Sequence, residues 1–192
     1  MILISEAIEI ITRETPALPS ESVDLAASVA RVLAEEIVAD ARVSRGALHH
    51  HYGDKRGLFR SVFEQVEAEL TTEIAAVATD LGDDLGVAAV LGAFLDLCER
   101  PEVRRIALVE APAVLGWEQW RAIEAQHGLG LLTALLAGSP VVTVDVPAPV
   151  LAQVVLSAVV EAALLIAHAE DPVAARRQAE ATLIALYGGL LG

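Results

Sequence analysis

An all-α chain is expected, on three observations. Apolar residues recur at helical spacing nearly throughout. Ala and Leu dominate, while Thr and aromatic residues are scarce. Proline and glycine breakers divide the 192 residues into segments of helical length, at Pro16 and Pro19, Gly53, Gly82 to Gly86, Pro101, Pro112, Gly128 to Gly130, Gly138 to Pro149, and Pro172. That punctuation predicts about eight or nine helices. The apolar fraction of 55% excludes wholesale disorder, and the length suits one domain or two small ones.

In chain order, residues 3–13 form a short helix before Pro16 and Pro19, and residues 22–40 a long one. Residues 42–60 then hold the informative local grammar. Ser44 is a good N-cap for a short helix, and Val43 and Leu48 can form a hydrophobic staple that fixes its entry angle. Leu48 and Tyr52 give that helix one narrow apolar stripe, which leaves Arg45, Gly46, Ala47, His49 and His50 pointing away from it. Gly53 ends the helix. Asp54 can cap the next one, placing Lys55 in its first turn beside free backbone N–H groups, an end suited to a phosphate oxygen.

Further along, residues 141–146 alternate like a strand but have no partner strand and lie between prolines, so an extended loop is expected. Residues 149–168 form a strongly apolar helix. Gln153, Ser157, Glu161 and His168 interrupt it, and a mid-span carboxylate is costly in lipid, so a buried helix of a soluble protein is expected and no membrane span. Asp171-Pro172 reads as an N-cap followed by proline at the first helical position. It opens a helix that runs to about Tyr187 and stops at Gly188-Gly189. Small residues at Ser157, Ala158, Ala162 and Ala163, on the first of two consecutive apolar helices, favour a subunit interface over the interior of a monomer.

The formal net charge of −14 argues against nucleic acid only until it is resolved along the chain. Residues 1–41 carry −6, residues 42–60 carry +4 and residues 61–192 carry −12. A compact cationic island therefore sits in an anionic chain, on a helix, tight turn and short helix with an exposed basic face. That is the layout of a helix-turn-helix.

The run Val43-Ser44-Arg45-Gly46-Ala47-Leu48-His49-His50-His51-Tyr52-Gly53-Asp54-Lys55-Arg56-Gly57-Leu58-Phe59 resembles the motif of TetR-type bacterial transcriptional regulators. The similarity is dense over residues 35–70 and continues more weakly through residues 100–106 and 110–117. The resemblance implies an all-α homodimer with an N-terminal DNA-binding domain, residues 1–60, and a helical effector-binding and dimerisation domain, residues 61–192. It implies that Leu48 and Tyr52 are core, that Ser44, Arg45, Gly46 and Ala47 face DNA, that His49 and His50 lie along the backbone or groove edge, and that Lys55 holds a phosphate. Double-stranded DNA and a small-molecule effector are the implied partners, dimerisation runs through the last two helices, and the implied role is a ligand-responsive repressor on a palindromic operator. This chain departs from the family at its start. Pro16 and Pro19 interrupt the first helix, and Val32-Leu33 stands where the second helix expects a capping Ser or Thr. A member of the same fold that binds a small molecule or a protein instead of DNA is the alternative.

Four residues are candidates for the effector. Trp117 and Trp120 can line a pocket or anchor the core, and Glu161 and His168 can face a ligand or an interface. Cys98 cannot form an internal disulfide and is expected to act as a small buried hydrophobe. No paired carboxylate, phosphate-binding glycine loop, zinc spacing or nucleophile elbow stands out, so neither an enzyme nor a cofactor is expected. The three adjacent histidines His49, His50 and His51 point about 100° apart on a helix and do not converge on a metal. The opening residues have no basic stretch ahead of their apolar ones, so no secretory leader is expected and the cytoplasm is the expected compartment.

Overall fold

The computed structural model describes residues 50–81, 87–138 and 146–191. All regular structure among them is helical. Residues 50–52 end a helix. They are followed by α1 (Lys55–Leu81), α2 (Val87–Cys98), α3 (Pro101–Val103), a π-helical turn (Arg104–Glu110), α4 (Ala111–Leu115), α5 (Trp117–Gly138), α6 (Ala148–Ala167) and α7 (Pro172–Leu191). Most of residues 141–146 lies outside the described part.

Two compact units divide the chain. The first is Met1–Val66 with Arg100–Arg121, and the second is Glu67–Glu99 with Ala122–Gly192. In the first, the core is built by Leu58, Phe59, Val62, Phe63 and Val66 of α1 together with Val103, Ile106, Ala107, Leu108, Ala111, Leu115 and Trp120. Trp120 has no exposed surface, and its indole N–H donates to the Ala107 carbonyl at 2.9 Å. The carbonyl belongs to the π turn, whose wider winding changes how backbone groups are paired. Trp120→Ala is expected to destabilise the chain by about 3–5 kcal/mol in a denaturant titration, because a large cavity and an orphaned carbonyl are left together.

Pro101 divides two helices as expected, whereas Pro112 and the Gly128–Gly130 pair act differently from expectation. Pro101 opens α3 at a position where no N–H is needed. Pro112 stands at the start of α4, directly after the π turn, which closes with Ala111 N–H on the Ile106 carbonyl. The widened turn takes up a residue that cannot donate, so the helical run bends its hydrogen-bond pattern and does not stop. The helix α5 passes straight through Gly128 and Gly130. A Cβ on Gly128 would stand 3.4 Å from Leu156 Cδ1, so glycine lets α5 and α6 pack closely, and that packing offsets its poor helix propensity.

The second unit is held by α6 and α7, with α2 against both. The proline-start cap is as expected: Asp171 Oδ1 accepts from Ala174 N–H at 3.0 Å. The helix α7 continues through Gly188-Gly189 to Leu191, past the expected stop. The buried Tyr187 hydroxyl donates to the Val155 carbonyl at 3.3 Å, tying α7 to α6, and burial pushes this phenol up to about 12. Cys98 is buried, as expected of a small hydrophobe. Among the described residues, α6 is the one helix long and apolar enough to cross a membrane, and 56% of its most apolar window is buried inside the protein.

Candidate nucleic-acid interface

Ser44, Arg45, Gly46, Ala47, Leu48 and His49 lie outside the described residues, and so does the altered N-terminal segment. What is described is the end of the short helix and the junction that follows it. His50 and His51 are exposed, with ring centroids 5.3 Å apart, and Tyr52 is half-buried. Gly53 takes φ +75°, a left-handed conformation that L side chains rarely adopt, and so ends the helix where the sequence placed its end.

The next helix begins one residue later. Asp54 Oδ1 accepts from Gly57 N–H at 2.7 Å, so Asp54 caps α1 as expected. Lys55 opens α1, where the first backbone N–H groups have no intrahelical acceptor and the helix dipole favours an anion. Gly57 is a close approach: a Cβ there would collide with the Tyr52 backbone carbonyl. The end of one helix and the first turn of the next are therefore locked at van der Waals contact, without a side chain between them.

Arg56 anchors this junction. Its Nη2 donates to the Leu115 carbonyl at 2.6 Å and to Gln119 Oε1 at 3.0 Å. Leu115 ends α4, and Gly116 follows with φ +78°. The carbonyl is thus left at a helix C-terminus, where it has no intrahelical donor and a cation is favoured. One turn on, Arg60 pairs with Glu64 at 2.8 Å on the surface. Within the π turn, burial pushes the Glu110 carboxyl above its usual range, and the Arg105 guanidinium 3.6 Å away offsets part of that. Arg56 carries no special mark in the sequence; its partner is reached only by folding.

The four effector candidates divide between the two units, Trp117 and Trp120 in the first and Glu161 and His168 in the second. Trp117 and Trp120 meet with ring centroids 4.8 Å apart, but Trp120 is wholly buried as a core anchor and Trp117 is 59% exposed. Glu161 and His168 belong to the other unit, and both are exposed. His168 caps the C-terminus of α6, its Nδ1 2.8 Å from the Leu164 carbonyl. The small residues divide as well: Ala162 and Ala163 face their own core, Ser157 is exposed and Ala158 half-buried. The outer face of α6 instead carries Val150, Val154 and Leu165.

The second unit also holds a feature that the sequence reading missed, since it found no paired carboxylates. Glu67 of α1 comes close enough to Glu124 of α5 to feel its charge, and with burial as the larger cause the Glu67 carboxyl is pushed up to about 8. The signal was present in the periodicity. Glu67 falls on the stripe of Phe63, Leu70 and Ile74, and Glu124 stands one turn after Trp120.

Residues 28–62 match the family described as bacterial regulatory proteins, tetR family. Residues 85–190 match the tetracyclin repressor-like C-terminal domain. A crystal structure of a TetR-family transcriptional regulator from Pectobacterium atrosepticum is similar over 99% of this chain and 92% of that one, with 30% sequence identity and a TM-score of 0.78. A comparison with curated proteins gave no match.

Proposed function

Because this chain belongs to the tetR family of bacterial regulatory proteins, we propose that it is a ligand-responsive repressor that binds a palindromic operator as a homodimer. The observation that carries the reading is the junction at residues 52–57. An exposed helix end, a left-handed glycine and an Asp54-capped helix opening on Lys55 stand inside a +4 island of an otherwise acidic chain. In this reading residues 1–60 supply the DNA-binding domain and residues 61–192 the effector-binding and dimerisation domain. The helix from Ser44 to Tyr52 lies in the major groove, with Ser44 at its DNA-facing start, Arg45, Gly46 and Ala47 toward the bases, and His49 and His50 along the backbone or groove edge. Lys55 and the opening N–H groups of α1 hold a phosphate.

Dimerisation is assigned to α6 and α7, whose outer faces carry Val150, Val154, Leu165, Val173, Ile184 and Leu186 exposed. Large apolar side chains at helical spacing on two adjacent helices suit burial against a second copy related by a twofold axis. The effector acts by binding more tightly to a subunit arrangement whose recognition helices do not match the half-site spacing.

The test is a gel-shift titration against DNA flanking the coding region, repeated at several salt concentrations. Lys55→Ala is expected to weaken binding to every sequence, whereas Arg45→Ala also relaxes discrimination at one base position by about 1–3 kcal/mol. Equal losses on cognate and scrambled DNA for both variants would remove the assigned roles. The absence of any salt-sensitive, sequence-dependent shift would remove the reading itself.

A further inference from the structure

We propose that Arg56 is a positioning residue for DNA recognition. It clamps the opening of α1 to the corner between α4 and α5, keeps the junction at residues 52–57 in register, and does not itself hold a phosphate. The proposal rests on reading that junction as part of the DNA-binding surface. By sequence, Arg56 is one of the five basic residues of the cationic island and adjoins Lys55, the residue assigned to a phosphate. Folding gives it a different partner.

The guanidinium Nη2 carries two hydrogens, and two acceptors meet them: the Leu115 carbonyl at 2.6 Å and Gln119 Oε1 at 3.0 Å. Those acceptors stand 59 and 63 residues further along the chain, in the same compact unit as Arg56. A planar guanidinium engaged twice on one nitrogen is fixed in orientation, unlike a mobile surface lysine. The platform it grips is rigid. Leu115 is 2% exposed, and Gln119 precedes Trp120, whose indole is bonded to the Ala107 carbonyl.

Electrostatics favour the clamp. An arginine in the first turn of a helix opposes the dipole at that end. Charge-assisted bonds to a carbonyl at the end of α4, where a cation is favoured, offset that opposition. The clamp bears on both halves of the junction. Arg56 adjoins Gly57, which stands against the Tyr52 backbone carbonyl with no room for a Cβ, and Asp54 caps the same turn. Releasing Arg56 frees the first turn of α1, with Lys55 in it, to shift against the end of the preceding helix. Contacts that specify bases suffer first, because they tolerate less displacement than a general attraction to phosphate.

The test is a gel-shift titration of the full chain on DNA flanking the coding region and on the same DNA scrambled, at several salt concentrations. The variants are Arg56→Ala, Arg56→Lys and Gln119→Leu, each checked for its fold by circular dichroism. Arg56→Ala is expected to lower affinity for the flanking DNA by about tenfold and for scrambled DNA by less than about twofold, with the salt slope unchanged. Arg56→Lys keeps the charge, but its ammonium ends one bond short of Nη2, so it is expected to lose specificity as alanine does. Gln119→Leu removes one acceptor and is expected to lower the same ratio, with no further loss when added to Arg56→Ala. A phosphate contact predicts the opposite pattern: equal losses on both DNAs, a salt slope smaller by about 0.9, rescue by lysine and no effect of Gln119→Leu. That pattern would overturn the proposal, and so would an unchanged specificity ratio in Arg56→Ala. Absence of a sequence-dependent shift in the unaltered chain sinks the repressor reading and this role with it. A shift there, with the ratio unchanged in Arg56→Ala, sinks the positioning role alone.

Discussion

Gly57→Ala is expected to abolish operator binding and to cost about 1–3 kcal/mol of stability. The added Cβ would occupy the position of the Tyr52 carbonyl oxygen, and that oxygen is backbone, so no rotamer change relieves the clash. Either the first turn of α1 moves off its Asp54 cap or the end of the preceding helix moves away from α1. Both shifts re-aim the segment assigned to the groove relative to the Lys55 end assigned to the phosphate, and contacts that specify bases tolerate little displacement. Gly130→Ala is the matched control. That glycine is helical with open space around its Cα, so alanine is expected to raise stability by about 0.5–1 kcal/mol and to leave DNA binding intact. Denaturant titration and gel shift on the two variants check the pair. Retained operator affinity in Gly57→Ala would show that the junction is not a rigid unit.

Glu67→Gln is expected to make the chain more stable near pH 8 and to flatten its stability profile between pH 5 and 8. The folded carboxyl ionises at about 8, against an ordinary value of 4.5. The folded state therefore holds its proton over a range in which the unfolded chain has lost it. Stability from this group is fully present below about 4.5 and is lost as pH rises through 8. Glutamine keeps the shape and removes the charge, so the variant escapes that loss by about 2–4 kcal/mol at the alkaline end. Urea titrations of both proteins at pH 5, 6.5 and 8 measure it. Parallel profiles would mean that Glu67 reaches solvent or a partner in solution.

How far the sequence could be read depends on the range of the forces involved. Helix starts and stops are short-range. Asp54 and Asp171 each cap a helix through a backbone N–H three residues away, and Gly53 stops one through its own φ, so all three were legible. The breakers that were misread depend on a distant surface. Gly128 is helical because Leu156 packs against it, and Pro112 is accommodated because the π turn ahead of it is held by Trp120. Trp117 and Trp120 look alike in sequence, three residues apart, yet one is a core anchor and the other exposed.

The sequence by itself determined the helical class, the cationic island and the capped, glycine-punctuated junction that resembles a DNA-binding motif. Each of these is set by side chains within about one helical turn of one another. Only the tertiary structure decided where Arg56 finds its acceptors, which faces of α6 are buried, and that Glu67 and Glu124 confront one another. These are pairings between residues far apart in the chain, and they acquire an energy only when helices pack and water is excluded between them.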